Sequence, residues 1–236
     1  NPTGTTIDGT IAVTLNNGAS FTVDNDGTIS GSAATTDGFG VMVNATSTLT
    51  NLTNTGTITG TATGQNGRGV NITVNSVLTA LTNSGTISGT STGANIGIGV
   101  KLDTSTSDSI INSVTGTISG SAETNTGIGI YIDDAATLTT LTNDGTISGT
   151  AETISGIGIH FDDTSTLTNL TNTGTITGTA VTSSGVGVRL DGTSILTTLT
   201  NSGTISGTTA GTKGHGVRID SASTLTTLTN TGTITG

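Results

Sequence analysis

The chain has no cysteine, no tryptophan, one tyrosine and one proline in 236 residues. Without cysteine its stability cannot rest on disulfides, and the redox compartment stays open. Pro2 stands at the N-terminal edge, so nothing interrupts long backbone ladders further along. Five Lys and Arg residues against fifteen Asp and Glu give a net charge of −10. Too few cations exist to neutralise a phosphate backbone, which argues against nucleic acid as a partner. The acidic balance suits a surface that other anionic surfaces repel. No run of eighteen apolar residues occurs, so no membrane-spanning helix is expected. No targeting segment stands at Asn1. Charged residues make up 8% and hydrophobic ones 30%: too few charges for a solvated disordered polymer and few apolar side chains for an ordinary globule.

Thr, Gly, Ser and Asn fill the gap, and they recur with a period. The isoleucine of each Gly-Thr-Ile-Ser/Thr-Gly block falls at Ile29, Ile58, Ile87, Ile118, Ile147, Ile176, Ile205 and Ile234. The intervals are 29 residues except the third, which is 31 and points to a small insertion around Thr104 to Ser113. A period of this size means stacked coils. It runs from end to end, so residues 1–236 form a single domain with no linker.

Each unit reads as three short strands. In Gly156-Ile157-Gly158-Ile159-His160-Phe161 strict alternation places Ile157, Ile159 and Phe161 on one face. Asp162 and Asp163 turn the chain. Leu167 and Leu170 are three apart, but the Thr and Asn around them favour two short strands with a bend over a helix. Asn172-Thr173-Gly174 turns again, and Thr175-Ile176-Thr177 is the third strand. One unit buries about six aliphatic side chains, worth roughly 1.5–3 kcal/mol each. Ordering its backbone costs about 1–2 kcal/mol per residue, so a single coil cannot fold alone. Stacking lets each strand hydrogen-bond above and below at ~4.8 Å. The fold expected is therefore an all-β parallel β-helix (β-solenoid) of about eight ~29-residue coils with three strands each.

Stacking turns repeated residues into rows. Asn25, Asn54, Asn83, Asn143, Asn172, Asn201 and Asn230 precede the third strands, and only the Val114 unit breaks the row. Stacked Asn side chains can bond to each other and to a repeated bend. The first strands end on Asn16, Asn44, Asn75, Asp103, Asp133, Asp162, Asp191 and Asp220. The five aspartates, Asp103, Asp133, Asp162, Asp191 and Asp220, would repel one another in register. Calcium could offset this, as could backbone N–H groups of the turn, or the nearby cations Lys101, Arg189 and Arg218. The row lacks the acid-dense nonapeptide pattern of dedicated calcium solenoids, so turn capping is the preferred reading, with calcium the one candidate cofactor.

Gly-x-Gly occurs seven times. A strand follows each copy and no helix does, so these are corners rather than phosphate loops. No carboxylate pair stands in a cationic groove, and no catalytic residue is assigned. The outward positions of the first strand, Met42, Asn71, Lys101, Tyr131, His160, Arg189 and Arg218, vary while the rest of the unit is nearly constant. That column is either a freely drifting exposed position or an interaction stripe, since Tyr and Arg favour contacts. His160 reads as a solvated side chain, because no second histidine shares its row. Arg68 and His215 read as incidental corner residues. The third strands offer two outward columns of Thr and Ser, which raises ice binding as an alternative.

The blocks Asn-Thr-Gly-Thr-Ile-Thr-Gly and Asn-Ser-Gly-Thr-Ile-Ser-Gly, preceded by Leu-Thr-x-Leu-Thr, resemble the passenger repeats of bacterial autotransporter adhesins and of filamentous-haemagglutinin-like exoproteins over residues 9–236. The resemblance implies a right-handed coil, export to the bacterial cell surface, and a role in adhesion, aggregation or biofilm. The chain departs from whole family members in having no signal peptide, membrane barrel or capping segment. The function expected is a secreted, non-enzymatic structural or adhesive rod, alternatively a self-assembling extracellular filament subunit or an ice-binding protein. Expected partners are further copies of itself or a host or surface ligand. The chain is expected to begin in the loop before a first strand and to hold a whole number of coils, as a segment of a longer rod or a stackable unit.

Overall fold

The computed structural model describes residues 1–211 and 213–236. It is a parallel β-solenoid of eight coils, built from 25 strands in three parallel sheets. Among the described residues there is no helix, and hence none long and apolar enough to cross a membrane. Each coil contributes one strand to each sheet. In the coil read above these are Ser155–Phe161, the leading strand; Thr166–Asn172, the leucine strand; and Thr175–Ala180, the Gly-Thr-Ile strand. The leading and leucine sheets have eight strands. The Gly-Thr-Ile sheet has nine, because Thr6–Gly9 pairs with Thr28–Gly31 ahead of the first full coil. The chain thus opens in a third strand, not in the loop before a first one.

Equivalent residues stack directly: Thr146 on Thr175, Ile147 on Ile176, Leu138 on Leu167, Leu141 on Leu170. Along the axis the aliphatic rows form one continuous buried core, to which the Val188 coil contributes Val188, Leu190, Leu196, Leu199 and Ile205. Such a core is built from rows because no coil has a second layer to pack against.

Two local features break the simple alternation. In the leucine strands both Leu167 and Leu170 are buried while Thr168 and Asn169 between them are exposed. The pairing passes over Thr168 and its counterpart Thr139 without a change of register, so one continuous strand accommodates the spacing of three. In the leading strands Gly158 is passed over in the pairing, and a Cβ there would stand 2.7 Å from Ile176 Cγ2 in the core. Gly158 and Ile159 therefore both face inward, and only glycine fits the first place. Ile157 is displaced to the outer side. It does not share a face with Ile159 and Phe161, but joins Ile98, Ile128 and Val186 in a second buried row against which Ile96 and Tyr131 pack.

The asparagine row is longer than expected and unbroken. Asn112 stands in it, paired with Asn83 and Asn143. Asn1 caps it by donating from Nδ2 to Asn25 Oδ1 at 2.8 Å. The two-residue insertion lies after Asn112, since Asn83 to Asn112 spans 29 residues while Thr86 pairs with Thr117. Val114, in that widened turn, is 79% exposed. From Asn25 to Asn230 each Nδ2 donates to the next Oδ1 at 2.7–2.9 Å. It also donates to two carbonyls of the turn and of the next coil, as Asn54 does to Gly56 and Thr86. A buried carboxamide is costly unless every polar atom is paired, and here the neighbour above and below is the partner.

Asn143→Ala strips Asn112 of an acceptor and Asn172 of a donor, so it is expected to lower stability by about 2–4 kcal/mol. Thr168→Ala, at an exposed position, should stay within about 0.5 kcal/mol. Urea unfolding of both variants measures the contrast.

Candidate functional site

The leading strand and the turn after it bring together most of the charged chemistry of the chain. Residues i and i+2 of a strand share a face, so Lys101 and Asp103, His160 and Asp162, Arg189 and Asp191, and Arg218 and Asp220 point the same way. Stacking then sets each against its counterparts in adjacent coils. The pairing confirms one column, with Met42 on Asn71, Asn71 on Lys101, Lys101 on Tyr131, Tyr131 on His160, His160 on Arg189 and Arg189 on Arg218. Thr14 extends it below Met42.

The acidic row is also real, with one change of member. Thr73, not Asn75, holds the place between Asn44 and Asp103, because Val43 pairs with Ile72 and Ile72 with Leu102. The turn after this row needs a left-handed residue, as at Asp134 (φ 47°), Asp163 (φ 52°) and Gly192 (φ 65°). Asp and Asn tolerate that conformation and cap it, which explains their abundance there.

Three of the carboxylates, Asp133, Asp162 and Asp191, divide their two oxygens between two tasks. One oxygen caps the turn: Asp133 Oδ1 accepts from the Asp134 N–H at 3.0 Å, Asp162 Oδ1 from Asp163 at 2.9 Å, and Asp191 Oδ1 from Gly192 at 2.9 Å. The other meets the column. Lys101 Nζ lies 2.7 Å from Asp103 Oδ2 and 3.1 Å from Asp133 Oδ2. Arg189 lies 2.6 Å from Asp191 and 3.5 Å from Asp220, and Arg218 reaches Asp220 at 2.7 Å. Capping and cation pairing thus act together, with the ammonium and guanidinium groups lying between carboxylates of adjacent coils. Burial pushes the Asp191 carboxyl up, but the Gly192 N–H, then Arg189 and Ser221, outweigh it and hold the group below its ordinary range. Asp133 pushes its neighbour Asp134 the opposite way.

The middle of the column is different. Tyr131 donates from its hydroxyl to Asp162 Oδ2 at 3.3 Å. Burial, then Asp133 and Asp162, raise its pKa, so it stays a neutral donor. Its ring stacks on His160, centroids 5.0 Å apart and 5° from parallel. His160 is 7% exposed, which corrects the expectation of a solvated side chain. Neither of its ring nitrogens has a hydrogen-bond partner among the described residues. Burial first, and Arg189 second, hold its pKa down to about 4. Asn71 is buried too, at 4%. The accessible part of the stripe is therefore Met42, Lys101, Tyr131, Arg189 and Arg218, each half-buried.

Arg68 is not incidental. Its Nη1 pairs with Asp37 at 2.7 Å and its guanidinium lies 5.3 Å over the Phe39 ring. It continues, in charged form, the outer row that Ile98, Ile128, Ile157 and Val186 occupy, and His215 closes that row beside Val186.

On the Gly-Thr-Ile sheet the hydroxyls form three columns rather than two. Thr57, Thr59 and Thr61 align with Thr86, Ser88 and Thr90, and so on through Thr175, Thr177 and Thr179. Only a pairing of long strands, Thr175–Ala180 rather than three residues, makes the third column visible.

No protein family, curated protein or solved structure matches the chain.

Two outcomes follow. Lys101→Met keeps the bulk that Met42 supplies in its own coil but removes the cation between Asp103 and Asp133. It should cost about 1–3 kcal/mol, and adding Asp133→Asn should recover part of that in a double-mutant cycle. For His160, the unfolded imidazole ionises near 6.5 and the folded one near 4. The unfolded chain therefore binds more protons between those values. Stability should be level above pH 6.5 and fall as pH drops towards 4, by an amount on the order of 3 kcal/mol. The urea midpoint of His160→Asn, the residue Asn71 supplies two coils away, should change less across that window.

Proposed function

We propose that the chain is part of a secreted, cell-surface structural and adhesive rod without catalytic activity. One observation carries the reading. The core rows and the asparagine row repeat from coil to coil, while an outer column held in the same register varies from Met42 to Arg218. A constant scaffold with one variable stripe is what display of contact residues on a rod requires, and that stripe holds Tyr and Arg, which favour contacts. The likeness of the Asn-Thr-Gly-Thr-Ile-Thr-Gly blocks to autotransporter passenger repeats supports the same reading and its corollary, export to a bacterial surface. Partners in this reading are a host or surface ligand, or other copies of the rod.

Beads coated with the chain should aggregate, or adhere to cells, more than albumin-coated beads. Replacing Tyr131, Arg189 and Arg218 by Thr, the residue Thr14 supplies in the first coil, should reduce this several-fold. Adhesion equal to albumin removes the adhesive part of the proposal, and adhesion unchanged in the triple variant moves the contact surface elsewhere.

A second reading, ice binding, is favoured by the three hydroxyl columns on the nine-stranded sheet. Thermal hysteresis that disappears on replacing Thr59, Ser88 and Ser119 by Lys supports it, and its absence in the unaltered chain rejects it.

A further inference from the structure

The charge ladder has a rule: from Lys101 to Arg218 each column residue bonds to an aspartate of its own or the following coil, and His160 alone breaks it. A cationic column residue sits between the aspartate two positions later and the aspartate of the following coil. Lys101 does this for Asp103 and Asp133, and Arg189 does it for Asp191 and Asp220. His160 stands in the same relation to Asp162 and Asp191. There the bridging group is an imidazole that bonds to neither carboxylate among the described residues. Asp162 is the one aspartate of the five with no ion pair among the described residues; it has only the Tyr131 hydroxyl and a turn N–H.

The imidazole is the second anomaly. It is more than nine-tenths buried, yet both ring nitrogens lack a partner. A buried ring in that state normally signals a missing ligand. A ring nitrogen of His160 and a carboxylate oxygen from each of Asp162 and Asp191 all lie within 4.8 Å of one another. Tyr131, stacked on one face, fixes the ring plane.

We propose that His160, Asp162 and Asp191 form a binding site for a divalent transition-metal ion of the zinc or cobalt type, which takes the place in the ladder that Lys101 and Arg189 fill in other coils. One imidazole and two carboxylates suit such ions, whereas calcium takes oxygen ligands. Arg189 gives up Asp191 to the ion and keeps Asp220, so no cation is left without a carboxylate. The role is structural: the site ties two adjacent coils together and requires no reaction chemistry.

The same cluster of acids around Lys101, namely Asp103, Asp133 and Asp134, also has ligand atoms within 4.8 Å, but the ammonium already sits on two of them. It serves as the internal comparison.

The test is titration of the whole chain with Co²⁺, followed by d–d absorption, and with Zn²⁺, followed by calorimetry, at pH 7. One ion per chain should bind, with an absorption band characteristic of nitrogen and oxygen ligands. His160→Asn and Asp162→Thr, which place Asn71 and Thr73 equivalents in this coil, should each weaken binding at least 10-fold. His215→Asn should leave it unchanged, and calcium at a hundredfold excess should not displace the ion. Zn²⁺ should raise the thermal midpoint of the unaltered chain but not that of His160→Asn. Circular dichroism shows whether each variant still folds; should Asp162→Thr fail to fold, His160→Asn decides alone, because imidazole removal leaves the acidic row intact. No saturable binding up to millimolar ion, or binding that survives His160→Asn, overturns the proposal.

Discussion

The structure depends on one constraint: a carboxamide inside the coil is satisfied by its copies above and below together with the backbone carbonyls of the turns. The asparagine row shows this most plainly. The carboxamides from Asn25 to Asn201 are buried, and each donates to the next at hydrogen-bond distance. Slipping one coil by a single residue would set Asn against Thr, leaving donors and acceptors unpaired on both sides. The row therefore locks the register of all three sheets. It also explains where the sequence tolerates change. Two residues are added beside Val114, in a turn outside the ladder, and Asn112 keeps its place. Aliphatic burial drives the stacking, but it is non-directional. The carboxamides supply the direction.

The same logic extends to the outside. Carboxylates in register repel, and what stacks beside them offsets this: turn N–H groups on Asp133, Asp162 and Asp191, and column cations on Asp103, Asp133, Asp191 and Asp220. Variation of the column is therefore constrained variation. Lys, Arg and Tyr all reach an aspartate, while Asn71 stands where the row itself has changed to Thr73. A residue in this column serves the ladder first and faces solvent with whatever surface is left. His160 is the exception to that rule: its ring is buried and stacked on Tyr131, and neither ring nitrogen has a hydrogen-bond partner among the described residues.

Much of this was legible in the sequence because repetition converts composition into geometry. A period of 29 residues with three turn signals dictates three parallel sheets, and a residue recurring once per coil dictates a row. The candidate calcium row and the variable column were found this way, and the structure brings each into register. Other features were not legible, for definite reasons. Anchoring on Gly-Thr-Ile placed the insertion too early and hid Asn112, since the shift falls between that asparagine and its block. Counting by twos misplaced Ile157, because the inward Gly158 adds a residue without an apolar signature. Thr73 was overlooked because Asn75 looked chemically closer to an aspartate. The burial of His160 is a contact with Tyr131 of the preceding coil, invisible in any single unit.

The central claim is tested most directly by exchange of the asparagine side-chain amide protons, resolved by NMR. The carboxamides of Asn54, Asn83, Asn112, Asn143, Asn172 and Asn201 should exchange as slowly as the backbone amides of the adjacent isoleucines. Asn51 and Asn169, exposed on the leucine strands, should exchange as quickly as a free amide. Fast exchange along the buried row, matching Asn51 and Asn169, would contradict the ladder as the element that holds the coils in register.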